Sequence, residues 1–426
     1  MKAVVLAAGR GERLQPFTLT RPKHLIKIGG TAILEHCLKK IRSAGVNEVI
    51  LVVHYMADKI KQYFYDGEKF GIRVSYVEQK ETSGTGNAVC MVEEFIQDDF
   101  LLVYGDLLFN NKSVKDIIDF HTKDSPSATM AVTQVENPED YGIVEVQNGS
   151  YVSTLIEKPP RNDAPSNLAN AGIYVLSPEI FDKLKEVAAS PRGELEITDA
   201  ISNLLNAGEK VAAVQIPNND WVDVGKPWDL LRANQWILAR REMEVHGKIE
   251  SGVKIVGSVS VAKTARVRSG TYIEGPVLID DDCDVGPNSY IRPYTSIGRG
   301  TRVGNACEIK NSIIMDNVHI GHLSYVGDSV VGERSNLGAG TITANLRHDS
   351  GKVKVMVKEK IIDSGRKKLG AFIGDDVKAG INTLFMPGVK IGIGSLIGPN
   401  VVVYRDVQSN TMVTVKQNLE EKKLGS

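Results

Sequence analysis

A glycine-rich loop near the N terminus has the composition of a phosphate-binding loop. The apolar residues 3–7 predict a buried strand, and residues 8–14 (AGRGERL) follow directly. Two glycines let backbone N–H groups surround phosphate oxygens, and Arg13 adds a planar fork of donors. Position 14 is Leu14 rather than the third glycine of a dinucleotide fingerprint, and the GK[ST] of a Walker loop is absent. The GxG spacing alone leaves an ordinary turn open, but the polar, proline-containing continuation to Lys23 favours phosphate binding.

Two aspartates stand where apolar, strand-like runs end. Asp106 ends the segment VYGD, and Asp223 lies in WVDVG. Mg²⁺ commonly binds one or two carboxylates together with substrate phosphates. An aspartate at the end of a strand is also a frequent turn residue, so either aspartate alone leaves both interpretations open.

The elements that could position these residues follow a regular alternation. Short apolar runs alternate with amphipathic stretches over residues 1–230, which predicts βαβ units and a mostly parallel sheet with helices on both faces. Ligands bind such sheets beyond the carboxyl ends of the strands. The predicted strands are residues 3–7, 48–53, 74–78, 100–104, 128–134, 172–175 and 211–216, and the predicted helices include 32–44 and 114–122.

The second half of the chain repeats an aliphatic residue at every sixth position. A period of six fits neither an α-helix nor an alternating strand, and it is typical of a parallel β-helix in which three hexads form one coil. The unbroken series is Ile255, Val261, Val267, Ile273, Ile279, Val285, Ile291, Ile297, Val303 and Ile309. The series skips after Ile309, returns at Ile320 and resumes from Ile373 to Val403. Glycines that follow inward residues, such as Gly304, Gly321 and Gly338, are expected where a corner has no room for a Cβ.

Residues 6–25 (LAAGRGERLQPFTLTRPKHL) resemble the opening signature of the sugar-1-phosphate nucleotidylyltransferases. Segments within residues 79–88, 103–106, 141–173 and 221–225 match the same family in the same order. The resemblance implies a Rossmann-like nucleotidyltransferase fold and a role for each matched residue. The implied roles are nucleotide binding by Leu6, Ala8, Gly9, Gly11, Gln79, Gly84 and Thr85, sugar-phosphate binding by Tyr104, Gly142, Glu157, Lys158 and Asn170, Mg²⁺ binding by Asp106 and Asp223, and catalysis by Arg13 and Lys23.

The reaction implied by this resemblance joins two polyanions. A sugar-1-phosphate oxygen attacks the α-phosphorus of UTP or dTTP, and pyrophosphate leaves. Positioning and charge neutralisation therefore dominate the catalysis. Arg13 would steady the pyrophosphate, Lys23 would neutralise the α-phosphate and Lys158 would hold the sugar phosphate.

Residues 304–346 closely resemble the acetyltransferase half of the bacterial bifunctional glucosamine-1-phosphate N-acetyltransferase/N-acetylglucosamine-1-phosphate uridylyltransferases. By that resemblance His322 is the general base that takes a proton from the sugar 2-amine as the amine attacks acetyl-CoA. The further implied roles are phosphate binding by Arg292 and Lys310, binding of the sugar ring by Tyr325 and Asn336, orientation of His322 or the amine by Asn345, and polarisation of the thioester carbonyl by the backbone N–H of Ala339. His319 has no counterpart and is expected on the surface.

The sequence departs from the bacterial pattern after Asn345. Residues 346–369 form an insertion rich in lysine, which is similar to that of archaeal relatives and is expected to be a solvated hairpin or arm. Lys354 in this insertion is a possible sugar contact. Ile381 and Pro399 replace small residues of the bacterial enzymes near CoA. Hexad acyltransferases of this kind are left-handed β-helices that form trimers, so a homotrimer with sites between subunits is predicted.

These patterns predict an α/β protein of two domains. The predicted nucleotidyltransferase domain spans residues 1–228, a linker helix 229–247 within a helical pattern over 228–245, a left-handed parallel β-helix of hexapeptide repeats 248–412, and a tail 413–426 that includes a frayed helix from residue 416. Lys and Arg total 51 and Asp and Glu 52, which predicts neither a nucleic-acid nor a membrane partner. Four cysteines without CxxC spacing and the absence of an 18-residue apolar run indicate a cytoplasmic protein.

Three functions compete at this point. The leading hypothesis is a bifunctional enzyme that acetylates glucosamine-1-phosphate and then transfers UMP from UTP to the product. The second is a single-activity glucose-1-phosphate thymidylyl- or uridylyltransferase whose β-helix is structural. The third is a regulatory assembly subunit that resembles the nucleotidylyltransferase-like subunits of a translation-factor exchange complex. The Lys23, Asp106 and Asp223 set argues against the third hypothesis, and the His322, Asn336 and Asn345 set argues against the second.

Overall fold

The computed structural model describes residues 1–80, 83–188 and 193–424 and divides into two compact units. The first unit comprises Met1–Gly11, Arg21–Ile26 and Thr31–Gly225, and the second comprises Glu12–Thr20, Lys27–Gly30 and Lys226–Ser426. The domain limits at residues 228, 247 and 412 stay predictions. No helix in the described part of the chain is long and apolar enough to cross a bilayer.

Strands and helices alternate from residue 31 to residue 124, as predicted, whereas four strands over residues 128–176 and then two helices over residues 180–206 follow without alternation. The strands are β1 (Ala3–Ala7), β2 (Lys27–Ile28), β3 (Thr31–Ala32), β4 (Glu48–Val53), β5 (Arg73–Glu78), β6 (Phe100–Tyr104), β7 (Leu107–Phe109), β8 (Ala128–Gln134), β9 (Gly142–Gln147), β10 (Tyr151–Glu157), β11 (Leu168–Leu176), β12 (Val211–Gln215) and β13 (Trp221–Asp223). The helices are α1 (Ile33–Ser43), α2 (Ala57–Phe64), α3 (Thr85–Cys90), α4 (Asn111–Asp124), α5 (Ile180–Lys185), α6 (Ile197–Asn206) and α7 (Asp229–Leu238). α4 illustrates a local cause, because the side chain of Asn110 accepts a hydrogen bond from the backbone N–H of Lys112 and caps the helix.

The central sheet of the first unit is mixed rather than mostly parallel. Its order is β5-β4-β1-β6-β11-β8-β12-β10-β9; the first four strands are parallel, and β11 runs antiparallel to both β6 and β8. The prediction therefore holds for the first four strands and for β8 with β12, which pair in parallel, and it is wrong for the antiparallel pairings of β9, β10 and β11. A parallel crossover needs about a dozen or more residues, and the short connection between β9 and β10 permits only a hairpin.

Helices cover both faces of this sheet, which confirms that part of the prediction. Ala3, Val5 and Ala7 of β1 pack in one core with residues of α1, α2 and α4. Val4, on the opposite face of the same strand, packs in a second core with α3, α5 and α6. The period-2 alternation of a strand thus divides β1 between two hydrophobic layers.

The second unit is a stack of short parallel strands in three sheets, here called the first, second and third walls, in the architecture of a left-handed parallel β-helix. Each strand pairs in parallel with the equivalent strand of the next coil. The first wall contains Glu244–Val245, Val259–Val261, Val277–Ile279, Thr295–Ile297, Ile313–Ile314, Val330–Val331, Phe372–Ile373 and Lys390–Ile391. The second contains Lys248–Ile249, Arg266–Val267, Asp284–Val285, Arg302–Asn305, His319–His322, Asn336–Leu337, Lys378–Ala379, Leu396–Ile397 and Met412–Val413. The third contains Lys254–Val256, Tyr272–Glu274, Tyr290–Ile291, Glu308–Lys310, Tyr325–Gly327, Ile342–Thr343, Leu384–Phe385 and Val402–Val403.

The predicted inward residues form the core of the β-helix. Val261 through Ile309 of the hexad series are buried in one continuous cluster, with Ile255 partly buried at its end. Each such aliphatic side chain contributes about 1.5–3 kcal/mol on burial. The interruption after Ile309 has a simple form: Ile314 is the next inward residue, because Ile297 pairs with Ile314 and the coil is one residue shorter.

Three local expectations are corrected. The linker helix ends at Leu238 instead of Val245, because Glu244–Val245 already pairs with Val259–Val261 in the first wall. Thr414–Leu424 contains no helix, and its exposed Leu419 and Leu424 have no core to pack against among the described residues; positions 425 and 426 lie outside the described part. A Cβ at Gly304 would lie 1.9 Å from the carbonyl oxygen of Gly321, as expected of a crowded corner, whereas a Cβ at Gly321 would meet no described atom within 4 Å.

Candidate active sites

Lys23 and Asp106 form an ion pair in the first unit, at the carboxyl end of the parallel strands. Lys23 begins a short 3-10 turn, Lys23–Leu25, and Asp106 follows β6. Burial alone would raise the pKa of Asp106, but the charge of Lys23 and the hydrogen bond from its ammonium hold that pKa below its ordinary value. Asp106 is thus kept ionised, as a metal ligand must be.

His24 lies beside this pair and was not selected from the sequence. Its ring is fully buried, and Nδ1 has no hydrogen-bond partner among the described residues. Burial, followed by the charge of Lys23, lowers the pKa of His24 to about 3, so the imidazole is neutral at physiological pH. The one available signal was its position next to Lys23 in the signature segment.

Asp223 is brought towards Asp106 by an antiparallel pair of short strands. β13 pairs with β7 so that Asp223 lies opposite Leu107, the residue that follows Asp106. The described residues contain no cluster of three or more His, Cys, Asp or Glu side chains that could hold a metal. Two carboxylates at neighbouring strand ends nevertheless fit Mg²⁺, which takes its remaining ligands from phosphates and water.

The predicted nucleotide loop surrounds the end of β1. Leu6 accepts a backbone hydrogen bond from Gly105, and Ala8 accepts one from Tyr55. A Cβ at Gly9 would lie 3.7 Å from Cε of Lys23, which places the loop backbone next to the lysine that the sequence analysis predicts to be catalytic. Gly11 has the positive φ of 64° that favours glycine.

The predicted base-reading residues are held by one another. Buried Gln79 donates from Nε2 to Oδ1 of Asn87 (2.7 Å) and to the carbonyl of Gly84 (3.4 Å). Gly84 has φ 101°, and a Cβ there would lie 2.3 Å from the carbonyl oxygen of Leu195. Thr85 donates to Oε2 of Glu196 (3.0 Å) and accepts from the backbone N–H of Ile197 (3.0 Å). The loop is therefore fixed to the start of α6.

The five predicted sugar-phosphate residues come from β6 and from the β9–β10–β11 region. Gly142 pairs with Glu157, and a Cβ at Gly142 would lie 2.9 Å from Oε2 of Glu157 and 3.7 Å from Cβ of Asn170. Lys158 forms an ion pair with Glu157 (2.9 Å). Gly142, Glu157 and Asn170 are therefore adjacent, and Lys158 follows Glu157 directly in the chain.

Tyr174 contacts both Tyr104 and Asn170, two of the predicted sugar-phosphate residues. Its hydroxyl lies 3.3 Å from that of Tyr104 and accepts a hydrogen bond from Nδ2 of Asn170 (2.5 Å). Burial raises the pKa of Tyr104, so this phenol stays protonated.

Glu196 and Thr198 also belong to this region, although the sequence analysis missed them. Thr198 donates to Oε2 of Glu157 (3.4 Å). Burial, and next the charge of Glu157, raise the pKa of Glu196. The signal that could have revealed them is the segment ELEITD at residues 194–199, where carboxylates and a hydroxyl lie just before and in the first turn of helix α6.

Arg13 lies in a separate 3-10 turn, Glu12–Leu14, with its side chain exposed. This turn belongs to the second unit, whereas the other predicted nucleotidyl-transfer residues belong to the first. Its predicted contact with pyrophosphate stays a prediction.

In the second unit, the stacking of coils brings Arg292 and Lys310 together. Ile291 pairs with Ile309, so the residues that follow each of them occupy the same position in successive coils of the third wall. Arg292 donates to Oε1 of Glu308 (2.8 Å), and this hydrogen bond raises the pKa of Arg292. Two cations one coil apart are suited to hold a phosphate.

Tyr325 and Asn345 lie beside these cations. Tyr325 pairs with Glu308 in the third wall, and its hydroxyl accepts a hydrogen bond from Nδ2 of Asn345 (3.0 Å). The same amide donates to Oδ2 of Asp328 (2.5 Å). Both amide hydrogens are thereby used within the protein, so Oδ1 of Asn345 is the atom that can orient the amine.

His322, Asn336 and Ala339 are carried by the second wall and by the edge that follows it. His322 ends the strand His319–His322 with its side chain exposed, and its carbonyl accepts from the backbone N–H of Gly340 (3.2 Å), next to Ala339. Asn336 pairs with His319 one coil further on, and so lies on a different wall from Tyr325. His319 is exposed, as expected.

The insertion after Asn345 folds as a hairpin. Lys354–Val357 pairs antiparallel with Lys360–Asp363, which confirms the expected hairpin, but one face of it is packed rather than solvated. Val353, Val355 and Val357 are buried, while Lys354 is exposed. The end of the insertion returns to the site, because Leu369 donates its backbone N–H to the carbonyl of Asn345 (2.9 Å).

A nucleotidyl transferase domain joined to a hexapeptide β-helix is the class of protein that this architecture defines. Residues 2–240 match the nucleotidyl transferase family, and residues 273–384 match the family described as the GMPPB C-terminal domain. Two solved structures are similar to the N-terminal part. A putative glucose-1-phosphate thymidylyltransferase from Bacillus anthracis in complex with sucrose is 29% identical with a TM-score of 0.51, covering 58% of this chain and 98% of that one. A UDP-glucose pyrophosphorylase complexed with UDP-glucose is 26% identical with a TM-score of 0.52, covering 56% and 99%.

Full-length relatives extend the similarity to both units. The bifunctional protein GlmU of Methanocaldococcus jannaschii is 43% identical over 424 residues, covering 100% of both chains. The bifunctional sugar-1-phosphate nucleotidylyltransferase/acetyltransferase of Sulfurisphaera tokodaii is 45% identical over 409 residues, covering 96% of this chain and 98% of the relative. The chain belongs to this family of bifunctional sugar-1-phosphate nucleotidylyltransferase/acetyltransferases, which confirms the predicted enzyme class.

Proposed function

We propose that the chain catalyses two consecutive steps of UDP-N-acetylglucosamine synthesis. The β-helix acetylates glucosamine-1-phosphate with acetyl-CoA, and the nucleotidyltransferase domain transfers UMP from UTP to the N-acetylglucosamine-1-phosphate, releasing pyrophosphate. The observation that carries the first step is the convergence of Arg292, Lys310, Tyr325 and Asn345 on one wall of the β-helix. A purely structural coil does not need two cations and an amide–phenol hydrogen bond at one place on its surface.

In the acetyl-transfer step the 2-amine of the sugar attacks the carbonyl carbon of the thioester. The C–N bond forms, the C–S bond breaks, and CoA leaves as the thiol. His322 accepts the proton lost by the amine and so acts as the general base. Arg292 and Lys310 hold the phosphate, Tyr325 and Asn336 hold the ring, Asn345 orients the amine, and the N–H of Ala339 donates to the oxygen of the carbonyl under attack.

In the nucleotidyl-transfer step the phosphate oxygen of the sugar attacks the α-phosphorus, and the bond to the β-phosphate breaks. Lys23 neutralises the α-phosphate, Arg13 steadies the leaving pyrophosphate, and Lys158 holds the incoming sugar phosphate. Asp106 and Asp223 would hold Mg²⁺, which supplies charge neutralisation when bound. The loop around Gln79, Gly84 and Thr85 contacts the base of UTP or, in the alternative, dTTP.

Acetyl transfer distinguishes this function from a single-activity glucose-1-phosphate thymidylyl- or uridylyltransferase with a structural β-helix. The test is thiol release from acetyl-CoA with glucosamine-1-phosphate by the wild-type protein and by His322→Ala. We expect the His322→Ala rate to fall by at least about 10²-fold, while pyrophosphate release from UTP is unchanged. His319→Ala, an exposed histidine of the same strand, is the matched control and should retain wild-type thiol release. Thiol release that survives His322→Ala would contradict the proposal.

The proposed assembly is a homotrimer. Exposed apolar side chains on or beside the walls include Leu323, Ile342, Ile381, Leu396 and Val402, and such patches favour contacts between subunits. Because His322 and Asn336 lie on a different wall from Tyr325, a site shared between subunits would bring these groups together. A mass of one chain by size exclusion with light scattering would contradict this assembly.

A further inference from the structure

A buried aspartate that the sequence analysis did not select lies among the acetyl-transfer residues of the third wall. Asp328 is 3% exposed. Its Oδ2 accepts hydrogen bonds from Nζ of Lys310 (3.1 Å) and Nδ2 of Asn345 (2.5 Å), and its Oδ1 accepts from Nδ2 of Asn311 (2.6 Å). A single carboxylate therefore contacts two of the predicted substrate-binding side chains.

The surroundings of Asp328 fix this carboxylate. Its backbone N–H donates to the carbonyl of Lys310 in the coil before it (2.9 Å), and its carbonyl accepts from Gly370, where the chain leaves the insertion (2.9 Å). Asn311 is itself held, because its Oδ1 accepts from Nε2 of Gln235 in α7 (2.7 Å). The carboxylate is thus anchored by the neighbouring coil, by the insertion and by α7.

The hexad spacing is broken at the corners that carry this network. The inward residues Ile309 and Ile314 are five positions apart instead of six, and so are Val326 and Val331. The next corner between the third and first walls contains the insertion. These three corners carry Lys310 with Asn311, then Asp328, then Asn345. The corner from Ile291 to Ile297 keeps the ordinary spacing, so turning the chain requires no such departure.

We propose that Asp328 is a positioning residue for acetyl transfer, which acts through Lys310 and Asn345 and rests on the proposed function of this site. A lysine ammonium is a point charge on a flexible four-carbon stem. A hydrogen bond to a buried carboxylate restricts that stem before the substrate arrives, and the ammonium keeps further donors for a phosphate. The same carboxylate holds Asn345 against Tyr325, so the phosphate and amine contacts are fixed relative to each other.

Removal of the carboxylate has two opposite consequences, which makes the test decisive. Loss of a negative charge beside Lys310 increases the attraction of this lysine for phosphate and lowers the KM for glucosamine-1-phosphate. Loss of the anchor frees Lys310 and Asn345 and raises that KM. The proposal requires the second effect to dominate.

The experiment compares Asp328→Asn with Asp376→Asn in the full-length protein. Both aspartates adopt a left-handed φ (52° and 58°), which asparagine tolerates. Asp376 accepts from exposed Arg334 at a corner between the first and second walls, away from the third. We expect Asp328→Asn to raise the KM for glucosamine-1-phosphate about tenfold and to leave the KM for acetyl-CoA within about twofold. Asp376→Asn should behave as wild type.

A double-mutant cycle with Lys310→Met distinguishes a positioning role from a merely structural one, because it measures whether the effect of Asp328→Asn on the KM depends on Lys310. If Asp328 acts through Lys310, the effect of Asp328→Asn on the KM shrinks in the Lys310→Met background. Full additivity, or an unchanged or lowered KM in Asp328→Asn, overturns the proposal.

If Asp328→Asn does not fold, the variant Asn311→Gly tests the proposal in its place. This change removes the hydrogen bond to Oδ1 of Asp328 and suits the φ of 46° at that position. A KM for glucosamine-1-phosphate raised about threefold supports the proposal, and an unchanged KM overturns it. If neither the wild-type protein nor Asp376→Asn transfers acetyl groups, the proposed function itself fails; activity in both with no effect of the Asp328 or Asn311 changes rejects the positioning role alone.

Discussion

The two candidate sites are assembled by different means. The predicted nucleotidyl-transfer residues of the first unit come from loops and strand ends spread over residues 6–223, and the order of the sheet brings these strand ends together. The acetyl-transfer residues of the third wall come from successive coils, where equivalent residues lie one above another by register. A site built by register inherits its geometry from a periodic core, whereas a site built from loops depends on many separate contacts.

The sites also differ in how they handle charge. The third wall pairs opposite charges, Arg292 with Glu308 and Lys310 with Asp328. The sugar-phosphate region of the first unit also pairs Glu157 with Lys158, but it places a second carboxylate, Glu196, close enough for the charge of Glu157 to raise the pKa of Glu196. The ion pairs of the third wall fix side chains before a ligand binds. The two neighbouring carboxylates of the first unit repel each other, and a bound cation or a proton would reduce that repulsion.

The largest expected effect separates the two activities at Asp106. Asp106→Asn removes the carboxylate that Lys23 holds ionised, and we expect pyrophosphate release from UTP and N-acetylglucosamine-1-phosphate to fall about 10³-fold. Acetyl transfer by the same protein should be unchanged, because it needs none of these groups. Asp116→Asn, which alters an exposed ion pair with Lys112, is the control. Parallel loss of both activities would contradict the separation of the two sites.

An intermediate effect tests how strictly register governs the β-helix. At Gly304 an added Cβ would lie 1.9 Å from the carbonyl oxygen of Gly321, while at Gly321 it would meet no described atom within 4 Å. We expect Gly304→Ala to lower the free energy of unfolding by about 1–3 kcal/mol and Gly321→Ala to change it by less than about 0.5 kcal/mol. Denaturant titration followed by circular dichroism measures both. Equal losses would show that the corners tolerate or reject a Cβ irrespective of the neighbouring coil.

The sequence predicts the β-helix better than it predicts the sheet, and the reason lies in the range of the determining contacts. An inward residue such as Ile291 repeats locally, so its spacing alone implies its pairing with Ile309. The antiparallel direction of β11 depends on β6 and β8, which lie far away in sequence, and an alternation of strands and helices carries no information on that choice.

The same contrast between local and distant determinants holds for the residues of the two candidate sites. Lys23, Asp106 and Asp223 could be found because family motifs place them at strand ends, and the structure pairs the first two and puts the third opposite Leu107. Asp328 and Glu196 were not selected from the sequence, because what distinguishes them is their burial and their partners in other segments. The shortened spacing after Ile309 was visible in the sequence, and it marks the corner that carries Lys310 and Asn311.

The smallest effect concerns the carboxylate pair of the first unit. Burial and then Glu157 raise the pKa of Glu196, so the native state holds this proton more tightly than the unfolded chain does. The stabilising contribution of the protonated carboxyl is complete below the unfolded pKa and is lost as pH rises through the raised native pKa. Glu196→Gln imitates the protonated form at every pH and can keep the hydrogen bond from Thr85.

We therefore expect the melting temperature of Glu196→Gln to rise relative to wild type by on the order of 1–3 °C between about pH 4 and about pH 7. Glu186→Gln, which alters an exposed ion pair with Lys183, should show no such trend. Scanning calorimetry at several pH values makes the comparison. A difference that stays constant or shrinks with pH would mean that the two carboxylates of the sugar-phosphate region do not repel each other in the folded protein, and that both sites neutralise their charges in the same way.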